Sequence, residues 1–368
     1  MHFVRFLLFS SCLLSTLGCR KEVEKIIVQQ VPVDRQYSWS PSKQLLGNFS
    51  ILLGVGKGPG GLYFQQPTGF AALEAKTSGA LTYTQYLFPS PTDLLVRLPI
   101  GPEYFVNYFN DSLVQLVPNA LPVLSGAGGY LRLHQLDPQG LRVQRNASSF
   151  NTFGVINAHN YLLFPYETTR RDNQNHLVLT HVTTASRNFP PKYTLQSRLV
   201  ELPIARGIYP YAPQLLAAFE DYFLVDCGNE GVFKVTEGGD VRQVLPPFTG
   251  VDAFYAWQGA VYATLDNSRF AVSNDHGEHW QFGNGPDLRY TTFHPVGDSL
   301  VGVYHGLGSY LFTYRTDLVR QRWRIRLLKD DGLNQAAING LATWGDTVYL
   351  ATSNGLFKRP FSKFFEGK

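Results

Sequence analysis

The chain has 368 residues, of which 44% are hydrophobic and 16% charged, with a formal net charge of +4. That apolar share excludes a disordered chain. So small a positive excess, with no basic stripe interleaved with aromatics, excludes a nucleic-acid binder. Aromatic residues make up 14%, and 34 Gly and 22 Pro stand against a single Met. This balance points to strands and turns rather than helices.

The N-terminus reads as a targeting segment over 1–18. His2 and Arg5 form a short basic start, and the apolar run Phe6–Gly18 is shorter than the roughly 20 residues a bilayer span needs. Thr16-Leu17-Gly18-Cys19 resembles a bacterial lipobox, departing from the usual pattern at Thr16 and similar to the looser lipoboxes of Bacteroidota. The resemblance implies that Cys19 is lipidated and becomes the mature N-terminus, held stably in the membrane by several acyl chains. No Asp follows Cys19 in Arg20-Lys21-Glu22, as in lipoproteins sent to the outer membrane. The same charged cluster resembles Bacteroidota surface-export signals. The expected location is therefore the outer membrane, facing the periplasm or the surface. Residues 19–46, punctuated by Pro32 and Pro41, read as lipidated Cys and tether. The folded domain is expected over 47–363.

Cys12 would leave with the leader and Cys19 would be acylated, so Cys227 remains alone and no intramolecular disulfide is expected. Cys227 ends the apolar run that begins at Phe223 and reads as a small buried hydrophobe. No Cys/His spacing resembles a zinc site, and neither a metal nor a cofactor is expected.

From about residue 48 one phrase recurs: apolar strand, short polar turn, second apolar strand, glycine-containing turn, and one or two further strands. The clearest copy is 251–282, with strands at 251–257, 259–265, 269–273 and 279–282. Gln214–Leu245 repeats it, and so do 291–325 and 339–359. The first inner turns fall at Asp221, Gln258, Asp298 and Asp346, a period of roughly 40 residues, which is the spacing of β-propeller blades. Upstream, similar turns fall at Asn110-Asp111 and Ala158-His159-Asn160, with insertions expected at Arg170–Asn175 and Arg187–Lys192. The spacing predicts an all-β propeller of four-stranded antiparallel blades; seven fit the chain and six is the alternative. The last unit lacks a fourth strand, and a segment around 45–55 is expected to supply it and close the ring.

Ser273-Asn274-Asp275-His276-Gly277-Glu278-His279-Trp280 fits Ser-x-Asp-x-Gly-x-x-Trp, which resembles the Asp box (BNR repeat) of sialidase-like and sortilin-like propellers. Thr352-Ser353-Asn354-Gly355-Leu356-Phe357-Lys358 is similar to the closing phrase of many bacterial propellers. In this motif Ser273, Asp275, Gly277 and Trp280 are structural. Asp275 accepts from turn amides, Gly277 supplies a positive φ and Trp280 packs beneath the turn. His276, Glu278 and His279 share one tight turn and read as solvated, not as ligands converging on an ion.

Two stretches invite functional readings. Arg320, Arg322, Arg324 and Arg326 alternate along one strand, which places them on one face. They read as a solubilising edge or as a patch for an anionic partner. Resemblance to sialidases prompts a search for their catalytic set. Arg97-Leu98-Pro99-Ile100 echoes their opening phrase, and Tyr166, Glu167, Arg170 and Arg171 share one loop, but no residue takes a catalytic assignment. The expected function is that of a membrane-anchored binding or scaffolding propeller with a protein or glycan partner. A sialidase-like glycoside hydrolase is the alternative.

Overall fold

Chain contacts divide the protein into Met1–Tyr37 and Ser38–Lys368, and of the first unit only Tyr37 is described. The computed structural model describes residues 37–42, 51–58, 60–67, 69–75, 81–87, 99–110, 113–118, 129–143, 154–170, 174–186, 192–204, 213–306, 308–317, 322–333 and 335–368. Cys19 and the tether up to residue 36 lie outside them. Among the described residues no helix is long and apolar enough to cross a membrane.

Ser38–Lys368 is a seven-bladed β-propeller, each blade an antiparallel sheet whose strands follow one another in chain order. Blade 1 is built from Gly54–Gly58, Gly61–Gln66, Gly69–Ala75 and Leu81–Leu87. Blade 2 holds Tyr104–Asn110, Leu113–Pro118 and Gly129–Arg132, with an inner stub at 99–101. The stub pairs through the Ile100–Phe105 bridge, with the Val106 amide donating to Pro99 O at 3.0 Å. Blade 3 runs Val155–Ile156, Tyr161–Thr168, Asn175–Ser186 and Lys192–Leu202, and Gly140–Val143 pairs with the far end of its second strand. Blade 4 comprises Leu215–Ala218, Tyr222–Asp226, Val232–Thr236 and Val241–Leu245, and blade 5 comprises Val251–Trp257, Ala260–Leu265, Arg269–Ser273 and Gln281–Asn284. Blade 6 comprises Thr291–Val296, Ser299–Tyr304, Tyr310–Asp317 and Arg322–Leu327; blade 7 comprises Ile338–Trp344, Thr347–Thr352 and Gly355–Pro360, completed by Ser40–Pro41.

Strand position within a blade explains composition. The second strands Gly61–Gln66, Tyr222–Asp226 and Ala260–Leu265 are buried at every residue, because both sheet faces lie against neighbouring blades. The fourth strand Gln281–Asn284 is mostly exposed. The apolar clusters straddle pairs of blades: Leu177 and Leu179 of blade 3 meet Phe223 and Val225 of blade 4, and Tyr349 of blade 7 meets Leu62 and Phe64 of blade 1. A single blade therefore cannot bury its own faces. Near the axis the first strands crowd together. A Cβ on Gly340 would overlap Val55 of the next blade, one on Gly56 would overlap Ile100, and one on Gly101 would overlap Ile156. Each glycine accepts a branched side chain from the following blade.

Several expectations change. The strand completing the last blade is Ser40–Pro41, paired as Ser40 with Lys358 and Pro41 with Phe357, and not a segment around 45–55. The fold thus reaches back before residue 47, into the stretch read as tether. It also runs past 363, since Phe364 is fully buried and Gly367 bridges Leu328. Pro41 fits the outermost position because a missing N–H costs nothing at an edge. The turn at Asn110 joins the second and third strands of blade 2, not the first and second, because the stub at 99–101 is its innermost strand. The insertions expected at Arg170–Asn175 and Arg187–Lys192 fall largely outside the described residues; the long strands beside them, 12 and 11 residues, account for part of the irregular spacing.

Ring closure is anchored by Trp39, which is 1% exposed. Its indole N–H donates to Lys329 O at 3.0 Å, its ring meets Phe364 edge-on at 6.0 Å, and the Arg359 guanidinium lies 6.0 Å from its centre. Replacing it by alanine opens a cavity at the seam and leaves Arg359 as the remaining side-chain donor to Lys329 O. We expect Trp39→Ala to lower unfolding free energy by about 3–5 kcal/mol, read as an early urea midpoint. A midpoint within error of the native protein would show that the seam is held elsewhere.

Candidate functional site

The Ser273–Trp280 turn joins the third and fourth strands of blade 5. Asp275 Oδ1 accepts from the amides of Glu278 (3.2 Å) and His279 (2.9 Å) and from Ser273 Oγ (2.7 Å), while its Oδ2 lies 2.6 Å from His279 Nδ1. These bonds, led by those from His279, hold the Asp275 carboxyl far below the ordinary range. Gly277 has φ +80°, and Trp280 Nε1 donates to Gly277 O at 3.1 Å while the ring packs near Phe254. The turn also docks on blade 4. Lys234 Nζ donates to Glu278 Oε1 at 2.5 Å and to His276 O at 2.8 Å, lies 4.3 Å from the Tyr222 ring centre, and is 9% exposed. Arg242 pairs with the same Glu278. Lys234 thus engages both Glu278 and the His276 carbonyl, while the His279 ring pairs with Asp275. Among the described residues no group of three or more His, Cys, Asp or Glu is placed to hold a metal. Cys227 is buried, and burial pushes its thiol far up.

The Tyr166–Arg170 stretch holds a structural network. Tyr166 OH donates to buried Asp137 Oδ2 at 2.8 Å, and Arg170 bonds Asp137 Oδ1 at 3.1 Å and Glu201 Oε1 at 3.0 Å. Glu167 faces away and pairs with Arg142 at 2.7 Å. Burial would raise the Asp137 carboxyl, but the Gln139 amide, Tyr166 and Arg170 outweigh it and hold it low. Tyr166 and Glu167 are strand neighbours on opposite faces, so they do not form a nucleophile pair. Arg97 and Arg171 lie outside the described residues.

Arg322, Arg324 and Arg326 lie on the outermost strand of blade 6; Arg320 lies outside the described residues. Arg324 stands directly across from Arg315, a like-charge pairing that costs stability. Arg326 donates to Phe365 O. On the opposite face of this strand Trp323, Ile325 and Leu327 are 43%, 42% and 43% exposed. Among the described residues the strand's outer edge meets only the C-terminus, where the Lys368 amide donates to Leu327 O at 3.3 Å. The alternation of arginines is visible in the sequence, but the exposure of the residues between them is not.

Two further groups emerge only from the fold. Between blades 5 and 6 lies a cavity of about 280 Å³ lined by Tyr255, Trp257, Gln258, Tyr262, Asp298 and Arg315, among others. The Tyr255 and Tyr262 rings stack at 5.0 Å with planes 5° apart. Its sequence signal is faint: Gln258 and Asp298 are first-inner-turn residues of consecutive repeats. At the joint of blades 4 and 5, on the opposite face, sit Asp226, Asp252, Asp266, Asp287 and Arg289. Burial, with help from Asp252 and against the Gly228 amide, pushes the Asp226 carboxyl up to about 7. Burial also raises Asp252, opposed by Arg289 and supported by Asp266 and Asp287. Arg289 is already engaged by Asp287, with Nη2 to Oδ2 at 2.6 Å.

No protein-family model matches the chain, and no curated protein matches it in sequence. Solved structures of similar shape include BamB from Moraxella catarrhalis, at 13% identity over 84% of this chain and 85% of that one, with a TM-score of 0.42. U3-55K matches at 10% identity, 87% and 100% coverage and a TM-score of 0.48. The computationally designed Ika8 protein matches at 10% identity, 85% and 97% coverage and a TM-score of 0.46. At such identities no ligand or partner carries across.

Asp226 yields a signed pH prediction. The unfolded carboxyl ionises at about 4 and the folded one at about 7. Between these values the folded protein keeps a proton that the unfolded chain has released. Stability therefore falls as pH rises through this window and levels off above it. Asp226→Asn keeps an oxygen for the Gly228 amide and removes the charge. The variant is expected to exceed the native protein by about 2–4 kcal/mol at pH 8 and to match it near pH 4; a pH-independent difference in urea unfolding would refute the assignment. Asp275→Ala is expected to lower stability by stranding the turn amides, checked by the same unfolding curves.

Proposed function

We propose that this protein is a lipid-anchored bacterial envelope lipoprotein whose propeller binds a protein partner through the outer strand of blade 6. The observation that carries the reading is the exposure of Trp323, Ile325 and Leu327 along one face of an edge strand. Edge strands are usually blunted by charge or covered, since open backbone groups invite pairing. A row of large apolar residues here supports a surface that is covered in the assembled state. Arg324, set against Arg315 across the sheet, favours a partner that brings negative charge. The lipobox-like Thr16–Cys19 supports membrane attachment through Cys19, and the Ser273–Trp280 turn supports kinship with Asp-box propellers.

The alternative, a glycoside hydrolase, has one specific observation in its favour. Asp226 and Asp252, from adjacent blades, are coupled carboxyls in different environments, as an acid and its partner must be. Against it, Arg289 is already paired with Asp287 and Asp226 is 1% exposed.

Crosslinking and affinity capture from intact envelopes test the reading with three forms: native, Cys19→Ser, and Trp323→Ser with Ile325→Lys. The native form is expected to sediment with membranes and capture a discrete protein. Cys19→Ser should move to the soluble fraction, and the double variant should stay on the membrane and lose the captured protein. An unchanged capture pattern in the folded double variant would remove the blade 6 reading. Turnover of aryl glycosides abolished by Asp226→Asn would establish the hydrolase instead.

A further inference from the structure

The cavity between blades 5 and 6 combines an aromatic floor with a polar rim open to solvent. Its walls are aromatic: Trp257, and the stacked pair Tyr255 and Tyr262, which are 8% and 7% exposed. Yet several polar groups around it bond no other protein group. Among the described residues, the Tyr255 and Tyr262 hydroxyls and the side chains of Gln258, Asp298 and Arg315 make no hydrogen bond or ion pair with other residues. Gln258, Asp298 and Arg315 are exposed at its mouth, so the pocket joins an aromatic floor to a polar rim that a ligand's hydroxyls can meet. Asp298 and Arg315, which would neutralise each other if joined, line the same cavity without pairing.

We infer that this cavity is a binding site for a single neutral pyranose residue, such as the end of a glycan chain. The chemistry of the lining selects that class. A purely apolar ligand would leave Asp298, Arg315 and the hydroxyls desolvated and unpaired. An anion would meet Asp298 and a cation would meet Arg315. A pyranose presents a flat C–H face to an aromatic ring and a rim of hydroxyls that donate and accept. The Asp298 carboxylate can accept from two adjacent hydroxyls, while Arg315 and Gln258 donate to hydroxyl or ring oxygens. At about 280 Å³ the space falls just under the range of roughly 300–1,000 Å³ for small-molecule pockets, so it suits one ring rather than an oligosaccharide. Gln258 and Asp298 come from the first inner turns of adjacent blades, so the site exists only where two blades meet. The inference goes beyond the protein-partner reading and stands without it, since the exposed face of Arg322–Leu327 takes no part.

The test uses the full-length protein in a detergent without a sugar headgroup. Methyl glycosides of glucose, galactose and mannose are titrated by saturation-transfer NMR and Trp fluorescence, with p-cresol as a mimic of an aromatic side chain. At least one glycoside is expected to bind saturably with a millimolar Kd. Asp298→Asn, an isosteric change at an exposed turn, and Trp257→Ala should each weaken it about tenfold or more, whereas Phe248→Ser should leave it unchanged. Retention of the native affinity in folded Asp298→Asn and Trp257→Ala would overturn the inference. So would saturable binding of p-cresol with none of any glycoside, or no saturable signal from any probe.

Discussion

A closed ring of sheets has no weak edge only if its last sheet is complete, and here completion depends on the short strand Ser40–Pro41 from the start of the fold. Two residues of ladder could not hold such a seam by backbone bonds alone. The strength comes from Trp39 beside them, buried against Phe364 and Arg359 and bonded to Lys329 O. The seam therefore gathers residues far apart in sequence around one indole. With the ring shut, each core cluster straddles two blades, and the joints between blades become the places where side chains from separate repeats meet.

Those joints are not equivalent. Between blades 7 and 1, 1 and 2, and 2 and 3, Gly340, Gly56 and Gly101 admit a branched side chain from the next blade, and the packing near the axis is tight. Between blades 4 and 5 the Ser273–Trp280 turn reaches back to Lys234, so a charge buried under Tyr222 ties the outer rim together. Between blades 5 and 6 the lining is large and aromatic and leaves a cavity with unpaired polar groups. The same blade 6 carries the exposed row Trp323, Ile325 and Leu327. The cavity and the exposed row thus lie on one sector of the ring.

Blades 4 and 5 were legible as sequence almost strand by strand, because in 214–245 and 251–284 each turn carries Gly, Asp or Asn and each strand alternates or runs apolar. Blade 2 hides its register at Asn110 because its innermost strand is a stub at 99–101 with too few residues to show a pattern. The spacing in blade 3 departs from the period in part because two of its strands are long, and strand length leaves no separate mark in the sequence. The closing strand leaves no sequence signal, since Ser40 and Pro41 have no strand propensity and owe their conformation to the edge they meet. The arginine alternation at Arg322–Leu327 was visible, but whether Trp323, Ile325 and Leu327 faced a core or solvent depended on what packs beside them.

The sequence by itself determined the architecture: a period of about 40 residues, apolar second strands and glycine-bearing turns are local properties, and repeated copies leave a ring of blades as the consistent outcome. It also determined the turn chemistry of Ser273–Trp280, whose bonds run almost entirely within eight consecutive residues. Only the tertiary structure decided which strand closes the ring, that Tyr166 and Glu167 serve separate networks, and that Tyr255, Gln258, Asp298 and Arg315 share one cavity. The reason is the same in each case. Burial and pairing across a joint depend on which repeats become neighbours and how closely, and no segment carries that information alone.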